Sequence, residues 1–273
     1  MGAGVAEAAA RAGIDVHVID LSESMLERGR QRVITSIARA QKSGKLTEYE
    51  AEDALSHIEF SAEMKSIRDS QLVIEAVIES ETDKIAVFKQ IDKRVKSPNA
   101  VLASNTSSIP IMKLAMATNR PSQVIGIHFF NPVPVLPLVE IVTSLLTNDK
   151  TTSVAHEFAT NQLGKEVIRS QDRAGFIVNA LLIPYILSAV RMLESGFATS
   201  EDIDAGMVKG CAHPMGPLAL ADLIGLDTTT AVADSLYEEF KEPLYAPPPL
   251  LARMVEAGLF GRKSGRGFYV YEE

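Results

Sequence analysis

A chain of 273 residues, 46% hydrophobic and 23% charged, is long enough for two ordinary domains and has the composition of a folded globular protein rather than a disordered one. A formal net charge of −8 argues against a general nucleic-acid surface, which needs clustered Lys and Arg. One cysteine, Cys211, excludes an internal disulfide and a Cys-based zinc cage and fits a reducing, cytoplasmic setting. No stretch reaches the ~20 apolar residues of a membrane helix, and the best one, "IVNALLIPYILSAV", carries Asn179 and Pro184 and reads as a core helix.

The chain opens "MGAGVAEAAARAGIDVHVID", an Ala-rich helix beginning Gly2-x-Gly4 followed by a strand over 14–20 that ends in Asp20. That order is the second half of a dinucleotide-binding βαβ unit. Its glycines let the backbone approach a pyrophosphate, and its acidic strand end accepts from a ribose hydroxyl. With Leu21 and Ser22 rather than an Arg beside Asp20, the pattern favours NAD, with NADP the alternative. The first strand of such a unit is missing from the sequence given.

A helix is expected from about 22 to 42 and another after Thr47, where "TEYE" matches a capping box. Further strands are expected over 57–61, 71–77, 100–105, 123–130 and 138–144, each short, β-branched and bounded by turn residues. Strands alternating with helices indicate an α/β, Rossmann-like, doubly wound parallel sheet. After "SQDRAGF" the character changes to helices over 176–195, 200–210, 217–224, 227–240 and 248–257, punctuated by "HPMGP" and "KEPLYAPPP". The expected organisation is a nucleotide-binding domain over 1–172, with a helical insert at about 22–55, and an all-helical domain over 173–273.

"GIHFFNPVPVLPLVE" carries most of the chemistry. His128 falls at a strand's carboxyl end, where ligands bind in open α/β sheets, and Glu140 follows twelve residues later on the next strand. A carboxylate returning beside an imidazole fixes its tautomer and stabilises its charged form. The bland alternative is a structural histidine.

Taken together, "LVIEAVIES", "ASNTSSIPI", "GIHFFNPVPVLPLVEIV", "AGFIVNALLIPYILSAVRMLESG", "EDIDAGMVKGCAHPMGPLALADLIGLDT" and "GRKSGRGFYVY" span nearly the whole chain. In these segments the sequence resembles the short-chain 3-hydroxyacyl-CoA dehydrogenase family and is most similar to its bacterial 3-hydroxybutyryl-CoA members. The resemblance implies hydride exchange between NAD and a short 3-hydroxyacyl-CoA, in fatty-acid or butanoate metabolism, by a homodimer joined through the helical domain. It implies that His128 is the general base, Glu140 its partner, Ser107 a neighbour of nicotinamide and substrate oxygen, and Asn179 a positioner of the acyl group. It places Gly2, Asp20, Ala76, Glu79, Lys84, Ser107, Asn131 and Lys263 at the cofactor. Bland alternatives are that Ser107 caps the following helix, Asn179 pairs within the core and Lys263 is solvated.

Arg28, Arg30, Arg32, Arg39, Lys42 and Lys45 fall on one stretch of this acidic chain, with Arg32, Ser36 and Arg39 on one helix face. A solvated basic face is the bland reading; a CoA nucleotide held by Ser36 and Lys42, with Ser107 nearer the acyl end, is the reading the resemblance implies. Two positions depart from the family pattern: Ser43 where relatives have the Lys, and Ala180 where they often have Arg. Competing functions are dehydrogenation of a dicarboxyl-CoA (3-hydroxyadipyl-CoA type) or sugar acid, a non-catalytic crystallin-like role, and a dinucleotide-binding regulator. Relatives also carry a loop of the form G-x-G-x-M-G-x-G. Met1-Gly2-Ala3-Gly4 matches its end, so Met1 is expected to be an internal methionine with roughly ten or more residues, about one strand plus a turn, before it.

Overall fold

Each short β-branched run with turn residues on both sides becomes a strand, and the apolar stripes between them become helices. The computed structural model describes residues 1–20 and 22–271, so Leu21 lies outside the described residues; two units separate at Arg173/Ala174. In the first unit the order is α1 (Gly2–Ala10), β1 (Val16–Ile19), α2 (Glu23–Lys42), α3 (Glu48–Ser56), β2 (Ile58–Ser61), β3 (Leu72–Glu75), α4 (Glu81–Arg94), β4 (Val101–Ser104), α5 (Ile111–Ala115), β5 (Val124–Phe129), β6 (Leu138–Thr143), α6 (Asp149–Glu157) and β7 (Glu166–Gln171). The capping box at Thr47 forms as the sequence predicts, with Thr47 and Glu50 each satisfying the other's backbone N–H.

A five-stranded sheet runs β3-β4-β5-β6-β7, and β1 pairs with β2 in a separate parallel ribbon. Every neighbouring pair in the larger sheet is parallel except β5–β6, which is antiparallel. β4 and β5 are buried along their whole length, as continuous apolar runs in a two-sided sheet should be. Val101, Ile125, Ile127, Phe129, Val139 and Ile141 form the centre of this core. Gly126 has no room for a side chain: a Cβ there would stand 2.8 Å from Val142 Cβ. The inserted pair α2–α3 closes on a smaller cluster of Val33, Ile37, Ala51 and Ala54.

The second unit is helical: α7 (Val178–Glu194), α8 (Ser200–Ala205), α9 (Pro217–Ile224), α10 (Leu226–Phe240) and α11 (Pro249–Glu256). α7 continues through Pro184 and buries Ile183, Ile186, Leu187 and Val190, as expected of a core helix. The chain's last turns are tied down by Asp222 on α9. Its buried carboxylate accepts from the backbone N–H of Phe268 (3.0 Å), that of Tyr269 (3.0 Å) and the Tyr271 hydroxyl (2.9 Å). Gly267 makes this approach feasible, since a Cβ on it would stand 1.9 Å from Asp222 Oδ1.

Candidate active site

His128 is the fifth residue of β5 and Glu140 the third of β6, and antiparallel pairing sets them directly opposite each other. Both are buried, and His128 Nδ1 lies 2.7 Å from Glu140 Oε2. A carboxylate can only accept, so the neutral ring keeps its proton on Nδ1 and its lone pair on Nε2. Nε2 faces the Ser107 hydroxyl at 3.1 Å, and the Phe130 ring packs 4.6 Å from the imidazole. Ser107, His128 and Glu140 therefore form one line from the protein surface into the sheet.

The loop carrying Ser107 leaves β4 and is gathered by one carboxylate. Glu79 Oε1 accepts from the Thr106 hydroxyl, from the Ser107 N–H (2.9 Å), and from the Ser108 N–H and hydroxyl (3.0 Å each). The local capping that Ser107 might have supplied falls to Thr106, whose hydroxyl accepts from the N–H of Ser108 and Ile109. Burial pushes Glu79 up, but the Lys84 ammonium and the loop's hydrogen bonds outweigh it and hold the carboxyl below its ordinary value. A depressed folded-state value means the carboxylate stabilises the fold above pH 4.5 and ceases to as pH falls through that lower value. Urea unfolding midpoints measured down this acid range should fall more steeply for the unaltered protein than for Glu79→Gln. Equal slopes would show that Glu79 contributes nothing there.

Lys84, which the resemblance places at the cofactor, is buried at 1% exposure on α4. Its ammonium donates to Glu75 Oε1 (2.7 Å) and the Val77 carbonyl (3.4 Å) and forms an ion pair with Glu79 Oε2 at 3.3 Å. The physical reason is position: α4 aims Lys84 back under the β3 end, where two carboxylates already converge. Glu75, unmarked by the sequence reading, is the last residue of β3 and also accepts from the Ser104 hydroxyl (2.6 Å) and the Val77 N–H (2.7 Å). Asn105, likewise unmarked, accepts from the Phe129 N–H at 2.9 Å and ties this loop to β5.

The N-terminus of α1 meets the same strand ends. A Cβ on Gly2 would touch Ala76 at 3.6 Å, and one on Gly4 would press on Val133 at 3.2 Å. Gly4 thus lets the helix start close on the loop after β5, and Gly2 brings it into ordinary contact with the end of β3; bare N–H groups at such a helix start suit a pyrophosphate, so the residues fit the dinucleotide. Asp20 is exposed just past β1 with its carboxylate accepting from the Ser22 N–H at 3.0 Å, and Asn131 is exposed just past β5.

On α2, Gln31, Arg32, Thr35, Ser36 and Arg39 line a cleft of about 330 Å³. Lys42 is not among its lining residues. It follows Arg39 by three positions on α2 and so lies about 60° around the helix from that lining residue, at the edge of the cleft. Beneath the cleft lies Glu7 of α1, 2% exposed, with Ser36 and Arg11 as partners. Burial raises its carboxyl above the ordinary range against those partners' opposing pull. In the helical unit, Asn179 is half-buried in the first turn of α7, and Lys263 is half-exposed with both oxygens of Asp227 as acceptors.

A Rossmann-like sheet whose strand ends carry glycine-opened space and a carboxylate-backed imidazole places the chain among nucleotide-dependent oxidoreductases. Comparison with known proteins specifies which. Residues 1–173 match the 3-hydroxyacyl-CoA dehydrogenase NAD-binding domain and residues 175–271 the C-terminal domain of the same family. A 3-hydroxybutyryl-CoA dehydrogenase of Mycobacterium tuberculosis is 56% identical over 99% of this chain and 95% of its own. The crystal structure of M. tuberculosis FadB2 superposes with a TM-score of 0.99 at 56% identity, covering 100% of this chain and 95% of that one. That of the (S)-3-hydroxybutyryl-CoA dehydrogenase PaaH1 from Ralstonia eutropha does so at 0.93 and 46% identity, covering 100% and 96%. The chain belongs to the 3-hydroxyacyl-CoA dehydrogenase family, and its cofactor is NAD.

Proposed function

We propose that this protein interconverts (3S)-3-hydroxyacyl-CoA and 3-oxoacyl-CoA of short chain length, 3-hydroxybutyryl-CoA being the type substrate. The observation that carries the reading is the buried Glu140–His128–Ser107 line, which leaves the imidazole's basic nitrogen at the strand ends. NAD supplies the hydride acceptor or donor. His128 Nε2 takes the proton from the substrate's 3-hydroxyl in oxidation and returns it to the carbonyl oxygen in reduction. Glu140 stabilises the imidazolium that forms, and Ser107 orients the oxygen. Gly2, Asp20, Ala76 and Asn131 are assigned to the cofactor, with Glu79 and Lys84 on its side of the loop; by the family pattern Lys263 is likewise assigned to the cofactor and Asn179 to the acyl group. The test is NADH consumption with acetoacetyl-CoA by purified protein; no turnover would remove the reading, and with it the choice over a crystallin-like or regulatory role.

We assign the cleft of Arg32, Ser36 and Arg39 to the phosphates of CoA, with Lys42 as an outlying charge. Replacing both arginines with Gln should raise KM for acetoacetyl-CoA by roughly tenfold or more with little change in kcat, and added salt should weaken the wild type more than the variant. Free 3-hydroxybutyrate, lacking this handle, should be a very poor substrate; comparable kcat/KM on the free acid would dismiss the assignment. Work in fatty-acid or butanoate metabolism, in the cytoplasm, follows from the same reading, supported by the free thiol of exposed Cys211. Exposed Leu181, Phe197 and Leu223 of the helical unit support a homodimer, which light scattering would test.

A further inference from the structure

Beneath the proposed catalytic loop lies an alternating chain of charge. Glu75 and Lys84 are both buried and paired at 2.7 Å, and Lys84 then reaches Glu79 at 3.3 Å. Glu79 gathers Thr106, Ser107 and Ser108, and the Ser107 hydroxyl meets His128 Nε2. Glu75 holds the same loop from the other side as well: its second carboxylate oxygen accepts from Ser104, and its backbone carbonyl from the Asn105 N–H at 2.8 Å. Burying an ammonium between two carboxylates is expensive, and an apolar pair of similar volume often serves stability as well or better. What an apolar pair cannot do is fix Glu79, because only the ammonium holds its Oε2 while Oε1 faces the loop.

We propose that Glu75 is a positioning residue for the reaction: through Lys84 and Ser104 it fixes the Glu79-bound loop so that the Ser107 hydroxyl stays on His128 Nε2. Glu75 touches neither Ser107 nor His128 and acts only through these groups. The inference rests on the dehydrogenase reading above.

A double-mutant cycle on the full chain tests it, with acetoacetyl-CoA and NADH as substrates. Glu75→Gln should lower kcat by roughly 10- to 100-fold while KM for acetoacetyl-CoA stays within about 2-fold. In a Ser107→Ala background, where there is no hydroxyl left to position, the same change should cost less than about 3-fold. Ser104→Ala, which removes one hydrogen bond and keeps the ion pair, is a milder variant that retains the fold. It should show a smaller kcat loss of roughly 3- to 10-fold, again suppressed by Ser107→Ala. A merely structural Glu75 would either lower the folded fraction and leave kcat per active site unchanged, or give kcat losses that multiply across the cycle. Either of those results, in either variant, overturns the inference while the dehydrogenase reading stands. Absence of turnover in the unaltered protein overturns both.

Discussion

A His128→Gln variant is expected to lose about 10²- to 10⁴-fold in turnover, the usual worth of a positioned general base, with CoA binding nearly unchanged. Gln is similar in reach and can still hydrogen-bond, but it has no lone pair that accepts a proton near neutral pH. Glu140→Gln should also lower kcat, by less, because the amide can still accept from Nδ1–H through its oxygen while the charge opposite the imidazolium is gone. Steady-state kinetics with acetoacetyl-CoA and NADH, together with titration of a CoA ligand, separate the two effects. Near-normal turnover by His128→Gln would sink the assignment, whereas a rise in KM alone would move the histidine from chemistry to binding.

The second large effect is on stability. Asp222→Ala should destabilise the protein by about 3 kcal/mol or more, because it strands two backbone N–H groups and a phenol that the charged carboxylate now satisfies. Burial, then the hydrogen bond to Asp222 and its charge, push the Tyr271 hydroxyl up to about 12. The phenol therefore stays a donor across the range in which the protein would be handled. Asp222→Asn keeps one acceptor oxygen and should fall between the wild type and Ala. The chain has no tryptophan, so urea unfolding should be followed by far-ultraviolet circular dichroism. A midpoint for Asp222→Ala equal to that of the wild type would show that the C-terminal turns hold without this carboxylate.

The sequence discloses the parts of this molecule that obey a local rule. β5 and β6 are legible because apolar β-branched runs sit between turns, and the His128–Glu140 pair is legible because the two residues lie on consecutive strands twelve positions apart. β7 is not foreseen: "EVIRSQ" has only two β-branched residues and is half-exposed along its length, so its strand state comes from pairing with β6 rather than from its own pattern. The antiparallel turn of β6 within an otherwise parallel sheet also leaves no mark in residue type. Lys84 looks like a ligand-binding lysine on a helix after a strand. Only the folded chain shows Glu75 and Glu79 closing on it, because that meeting joins a strand end, a loop and a helix. Arg32, Ser36 and Arg39 share one cleft as helical periodicity leads one to expect, and Lys42 follows Arg39 by one further turn outside its lining.

The direct opposition of His128 and Glu140 across β5 and β6 has a consequence for how this protein can change over time. Successive side chains on a strand point to opposite faces, so adding or removing one residue in the connecting stretch 130–137 would favour a slip that turns Glu140 away from the imidazole and brings Val139 or Ile141 in its place. Val135 and Leu136 of that stretch are exposed, whereas Val133 is buried, so the stretch is anchored at one point and open at others. The connection is thus rigid in length, and that length stores part of the chemistry as surely as the histidine does.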